Sequence, residues 1–350
     1  MTSFLLMPPR SQSIIPTSRS SFLTRRIPVL SSSFSSLHNK TPRIPQKQTI
    51  FTPIRRSHLH TSRAPKMASA TSAAALVESA KKAAAFQAVD EHLLPSYKFV
   101  GIGSGSTVVY VVEAIAAKGP AFYQGMTFIP TGSQSKGLIR AAGLTLCNLD
   151  ERPVIDGQLV ALDVAFDGAD EVDADLNLIK GGGACLFQEK LVAVAAKKFV
   201  AVADYRKQSP RLCTVWKAIP VEVLPLAAPD VLKRLNAMGS PNAAVRAGLP
   251  SKAGECVTDN GMWIIDAAFP PLLLPKDLTP EIDGTGKGGA WEIKTLAEEL
   301  LRIPGVVEHG LFYGYNGDDA VAFSKQAQAQ KPVAAYFGMA NGEVQVQRAS

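Results

Sequence analysis

Among residues 167 to 190, the four carboxylates Asp167, Asp170, Glu171 and Glu189 and the two lysines Lys180 and Lys190 stand around the triple glycine Gly181-Gly182-Gly183. A carboxylate can take a proton beside a carbonyl, and an ammonium can hold the negative charge that then develops. Glycines let a backbone approach an anion closely, at a cost in chain entropy. Crowded carboxylates repel, so one of the Asp cluster is expected to keep its proton near neutrality and could donate it to a sugar ring oxygen. The rival readings are helix capping, calcium binding or an exposed turn. Calcium would want a longer oxygen-rich loop with ligands at alternating positions.

A second cluster, Gly101-Ile102-Gly103-Ser104-Gly105-Ser106-Thr107, joins a strand to a helix. Free amides at a helix start favour phosphate, and the hydroxyls add donors. A dinucleotide site would need Gly or Ala where Ser106 stands and an acid about 20 positions on. Residues 119–130 hold no Asp or Glu, so a compact phosphate ester fits better than NAD. Lys207, just past a later strand, is a plausible anion ligand.

These residues need elements to carry them. Apolar periodicity predicts helices over Leu76–Leu94, Val108–Ala117, a stretch ending near Gly143, and Ala184–Lys198 with Phe187, Leu191 and Val194 facing the core. Glu189 then points away from Phe187. Apolar strands are predicted at Lys98–Ile102, Met126–Pro130, Leu159–Phe166 and Phe199–Ala203. Near-continuous apolar strands alternating with helices argue for a Rossmann-like α/β fold, a parallel sheet with helices on both faces. Ligands bind outside the carboxyl ends of such strands, where loops 103–107, 131–135, 167–171 and 204–208 gather.

After Pro220 the order becomes β-α-β-β-α-β: Val221–Leu224, Pro229–Met238, Ala243–Arg246, a hairpin over Glu255–Ala267 with Asn260-Gly261 as a type I′ signal, Trp291–Arg302, and Val306–Gly310. This predicts a smaller ferredoxin-like α+β domain at 220–309 and a catalytic domain at 67–219, completed by about 310–350. Loop 270–289 and the stretch 316–330, polar and low in complexity at 326–330, look like insertions.

The chain has 350 residues, 46% apolar and 19% charged, enough for a sizeable core. The net charge of +7 belongs to residues 1–66, which carry eight Arg and three Lys and no acid; beyond them 26 basic face 30 acidic residues. Nucleic-acid binding by the folded part is therefore not indicated. The leader, rich in Ser, Arg, Thr and Pro, has a transit-peptide composition, which points to mitochondrial import of some product and otherwise to the cytoplasm. An address-free leader and a second start at Met67 are the alternatives. No run of 18 apolar residues suggests a membrane span. Cys147, Cys185, Cys213 and Cys256 are scattered, and only His92 and His309 lie beyond the leader, so a metal site or a Ser-His-Asp hydrolase is poorly supplied.

Together, Gly103–Thr107, Asp167–Glu171, Lys180–Gly183 with Glu189-Lys190, Ala203-Asp204 with Lys207-Gln208, Thr258–Gly261, and Ile303–Val307 with Gly310–Phe312 resemble the ribose-5-phosphate isomerase A family, over roughly residues 76–345. That resemblance implies aldose–ketose interconversion of ribose 5-phosphate and ribulose 5-phosphate in the pentose phosphate pathway, with no metal or organic cofactor, by a homodimer or homotetramer. It implies Glu189 as the base that shuttles a proton through an enediolate, Asp167 in ring opening, and Lys180 with the glycine amides on the enediolate oxygen. Substrate would be held by Ser104, Gly105, Ser106, Thr107, Gly168, Ala169, Asp170, Gly181, Gly182, Gly183 and Lys207, with Lys81 near the phosphate. The alternatives are a sugar-phosphate-binding regulator, for which no helix-turn-helix is found, and a CoA-transferase-like enzyme with a Glu acyl acceptor.

Overall fold

The computed structural model describes residues 66–249, 253–322 and 330–349, with side chains from residue 74 onward. The leader, but for its last residue, and nearly all of the polar stretch 326–330 lie outside the described residues. Residues 63–350 form one compact unit.

Six strands build the main sheet, in the order Val344–Arg348, Ala334–Gly338, Phe199–Asp204, Val164–Asp167, Phe99–Ile102, Thr127–Pro130. All pairs are parallel except the edge pair Ala334–Gly338 with Val344–Arg348. Val164 and Phe166 send their side chains to one face, among Ala84, Ala88 and Val89 of the helix Lys66–His92 and Val111 and Ile115 of the helix Val108–Ala117. Ala165, between them, points to the other face with Val192 and Ala193 of the helix Leu186–Ala195. Coverage on both faces explains why these strands read as unbroken apolar runs.

From the Phe99 strand the chain steps one way to Thr127 and then back past it to Val164. The direction reverses between those neighbours, and the loops leaving Ile102 and Asp167 flank a crevice there. Gly103 allows the two loops to touch: its amide donates to Phe166 O at 2.8 Å, and a Cβ in its place would lie 2.0 Å from Asp167 Oδ1.

The segment after Pro220 forms a separate antiparallel sheet, Ala244–Val245, Trp263–Ala267, Ile219–Val223, Val306–His309, with the helices Ala228–Ala237 and Ile293–Leu301. That strand order is the ferredoxin-like one. A small third sheet, Leu311–Phe312, Leu178–Ile179 and Glu171–Val172, joins the two regions.

Three expectations need correction. Leu159–Phe166 is not one strand: Gln158–Leu159 pairs back onto Val154–Ile155, and the sheet strand starts at Val164. The cause is the Asp156-Gly157 turn, whose φ values of 53° and 76° make the hairpin. The turn at Asn260-Gly261 is not type I′, since of the two only Gly261 has a positive φ, 77°. Gly261 N instead donates to Thr258 O at 2.9 Å, closing a turn with a left-handed glycine at its end. Finally, the face bearing Phe187, Leu191 and Val194 is not buried; Leu191 is 42% exposed. The helix buries Leu186, Glu189, Lys190, Val192 and Ala193.

Candidate active site

The crevice at the switch point is a pocket of about 120 Å³, lined by Ser104, Gly105, Ser106, Thr107, Gly168, Ala169, Asp170, Lys180, Gly181, Gly182, Gly183, Glu189, Ala203, Asp204 and Lys207. Thirteen of the expected residues are therefore in one wall. Asp167 lies beneath the floor, 3% exposed, and Lys81 stands behind Ser106, donating to its Oγ at 3.0 Å and to Glu78 at 2.8 Å.

Backbone geometry aims these groups. The helix Val108–Ala117 opens at Thr107 with no side-chain cap, so its start is open to an anion beside the hydroxyls of Ser106 and Thr107. Lys180 follows the short strand Leu178–Ile179 and is pinned by its amide to Gly310 O at 2.9 Å. Glu189 sits in the first turn of the helix Leu186–Ala195, where a buried carboxylate faces the positive end of the helix.

At the centre, Lys180 Nζ lies 2.9 Å from Asp167 Oδ2 and 3.4 Å from Glu189 Oε2, and donates to Gly168 O at 2.7 Å. Asp167 Oδ1 also accepts from the amides of Ser104 and Gly168 at 3.0 and 2.7 Å. Glu189 is held far less: Ser104 Oγ donates to its Oε1 at 2.5 Å, and its Oε2 accepts no hydrogen bond. Burial raises the pKa of both carboxyls, opposed by Lys180. Asp167's three donors favour its charged form, and its charge in turn pushes Glu189 up further, so Glu189 is the carboxylate poised to accept a proton. Burial would lower the Lys180 pKa, yet Asp167 and Glu189 outweigh it and the net shift is upward.

Asp170 lines the pocket with a pKa raised by burial, and its Oδ2 accepts from Gly182 N at 2.7 Å. That amide is thus already engaged. Lys207 rests its ammonium 4.9 Å from the Trp216 ring centre at the pocket edge.

The sequence reading gave no role to three neighbours. Gln134 Oε1 accepts from Gly105 N at 2.8 Å. Asp204, 2% exposed, lines the pocket and pairs with Arg206 at 2.6 Å. Arg246, from the small sheet, grips the carbonyls of Gly181 and Gly182. The 131–135 loop and the 204–208 loop signalled the first two by position; nothing in the sequence signalled Arg246. Glu171, counted among the four carboxylates, is fully buried away from the pocket and accepts from the amides of Cys213, Thr214 and Val215 at 2.7, 3.0 and 2.6 Å. Lys190 also points elsewhere, donating to His309 O, Leu311 O and Glu308 at 2.7, 2.8 and 2.9 Å.

An open doubly wound α/β sheet with buried carboxylates and a lysine around a crevice at its switch point defines the class: an α/β protein of the kind that binds ligands at the carboxyl ends of its strands. Comparison with known proteins narrows this. The family model for ribose 5-phosphate isomerase A (phosphoriboisomerase A) matches residues 127–327. A ribose-5-phosphate isomerase of Debaryomyces hansenii is 45% identical over 276 residues, covering 78% of this chain and 92% of that protein. The solved ribose 5-phosphate isomerase A of Methanocaldococcus jannaschii superposes with a TM-score of 0.60 at 30% identity, over 77% of this chain and 98% of that one. A D-ribose-5-phosphate isomerase solved in complex with phospho-erythronic acid does so with a TM-score of 0.60 at 31% identity, over 78% and 99%. The chain belongs to the ribose 5-phosphate isomerase A family.

Proposed function

We propose that the chain interconverts D-ribose 5-phosphate and D-ribulose 5-phosphate, with Glu189 carrying the proton between the first two sugar carbons. The observation that bears most on this is the carboxylate itself: 4% exposed, one oxygen without a hydrogen bond, 3.4 Å from an ammonium, in the wall of a pocket whose far end is a bare helix start. A base must be free to accept, and this oxygen is.

The phosphate binds at Ser106, Thr107 and the following amides, with Lys81 and Lys207 supplying charge. Glu189 removes the proton from the carbon beside the carbonyl, and electrons move onto the carbonyl oxygen. Lys180 and the glycine loop hold that enediolate oxygen, the proton of the C2 hydroxyl passes to O1, and Glu189 returns its proton to C1 as the C2 carbonyl forms. Asp167's oxygens are committed to Lys180, Ser104 and Gly168, so its part is to fix Lys180. Ring opening falls instead to Asp170, which lines the pocket and whose raised pKa favours the protonated donor. The test is turnover of ribose 5-phosphate, with no CoA present, by Glu189→Gln protein shown to be folded. Near-normal turnover would refute the proton shuttle.

The same reading carries two broader proposals. A homo-oligomer is supported by the exposed apolar face of Leu191 beside a groove of about 920 Å³ and the exposed hairpin residues Val154, Ile155 and Leu159; light scattering after size exclusion tests it. Among the described residues no helix is long and apolar enough to cross a membrane. Import by the basic leader is tested by fusing residues 1–66 to a fluorescent protein and locating it.

A further inference from the structure

Three successive glycines form the pocket wall that receives the enediolate, and such a backbone has more freedom than any other. Gly181 has φ +103°, and beside Gly183 nothing lies within 4 Å of where a Cβ would stand. Within the loop the Ala184 amide reaches these carbonyls, at 3.1 Å from Gly181 O, and a contact from outside adds to this one. Arg246 provides it from the second sheet: its Nη1 donates to Gly181 O at 2.9 Å and to Gly182 O at 3.1 Å. Asp266 holds the other edge of the guanidinium, at 2.8 Å to Nε and 2.5 Å to Nη2.

A trans peptide sets its C=O and N–H antiparallel. The Gly181–Gly182 peptide is pinned at both ends, its oxygen on Arg246 and its N–H on pocket-facing Asp170 at 2.7 Å. With the Gly182 oxygen also on Arg246, the Gly183 N–H points the opposite way, to the pocket side. A flip of either peptide would put a carbonyl dipole where negative charge develops.

We infer that Arg246 is a positioning residue for the reaction: clamped by Asp266, it keeps two carbonyls out of the pocket and so aims the Gly183 amide at the enediolate oxygen. This rests on the proposed isomerase chemistry and adds a role for the small sheet, which reaches the reacting atoms through this arginine without touching substrate.

The experiment compares full-length wild type, Arg246→Met, Arg246→Lys and Glu189→Gln, each with a melting curve. Measured are kcat, KM, and inhibition by phospho-erythronate, whose carboxylate imitates the enediolate end, and by inorganic phosphate, which reports the other end. The expected result is a kcat about 10- to 100-fold lower in Arg246→Met with KM little changed, since a donor acting on transition-state charge is lost. Phospho-erythronate should weaken about tenfold while phosphate does not change, and Arg246→Lys should fall between, because an ammonium cannot span both carbonyls and Asp266. Wild-type kcat and analogue binding in a folded variant would overturn the inference. So would equal weakening of both inhibitors, which marks a general loosening. If Arg246→Met fails to fold, Arg246→Lys gives the same readings. Normal turnover in Glu189→Gln would sink the proton-shuttle reading itself, whatever Arg246 does.

Discussion

Two buried lysines lie against one aromatic ring and live in opposite electrostatic worlds. Lys180 and Lys190 are 2% and 4% exposed, with ammonium groups 5.7 and 4.9 Å from the Phe312 ring centre. Lys180 meets two carboxylates, and its pKa is raised. Lys190 meets one carboxylate, Glu308, and two fixed carbonyls, and burial lowers its pKa to about 8. The pocket side balances charge with charges that a substrate can perturb. The far side balances it with backbone dipoles that cannot move. The first arrangement suits chemistry; the second ties the helix of Glu189 to the strands beside it.

The sharpest way to break this contrast is at Glu189. Glu189→Gln should lower kcat roughly 10²- to 10⁴-fold, as for loss of a general base. It should also raise the melting temperature at pH 7. A carboxyl whose folded pKa lies above 4.5 favours the fold below pH 4.5 and loses that advantage as the pH rises through the folded value. The gain of the Gln variant should therefore vanish in acid, and a variant less stable than wild type at pH 7 would contradict the raised pKa.

Next in size is the lysine pair. Lys180→Met should cost about 10²- to 10³-fold in kcat by removing the charge that meets the enediolate. Lys190→Met should leave the kcat of folded protein within a few-fold and instead destabilise by about 3 kcal/mol, through the unpaired Glu308 and carbonyls. Denaturant melts beside kinetics check both; a reversal of the two phenotypes would erase the distinction.

A smaller effect is the acid limb of kcat/KM. Glu189 must be ionised to act, and its raised pKa places that limb above the ordinary 4.5; a limb at or below 4.5 would show a base that burial does not perturb. The smallest concerns Lys190 alone. Its folded pKa of about 8 lies below the ordinary 10.5, so on top of its contacts its titration adds stability that is full above pH 10.5 and lost as the pH falls through 8. Wild-type stability relative to Lys190→Met should rise between those values, and a flat difference would mean the two states titrate alike.

How much of this was legible beforehand varies by region. Strongly apolar segments announce themselves, so the helix Val108–Ala117 and the strand Phe199–Asp204 read almost to the residue. The short hairpin at Val154–Leu159 did not, because its Asp-Gly signal sat within an apolar run and only pairing splits such a run. Glu189 follows from its spacing to Lys180 and the Asp cluster, while the expected burial of Phe187 fails, since that ring borders an open groove. Periodicity shows which residues share a helix face, not which face the rest of the molecule covers.

Residue types and their spacing by themselves set the acid–base kit, the phosphate-ready helix start and the alternation that makes a doubly wound sheet, because these depend on local geometry and on chain order. Which of two neighbouring acid–lysine pairs would face substrate, which aspartate would be spent on holding Lys180, and that an arginine some 65 positions away would orient the glycines were decided only by the folded chain. Those outcomes turn on burial and on contacts between distant segments, and a buried charge takes its character from whatever the fold sets against it.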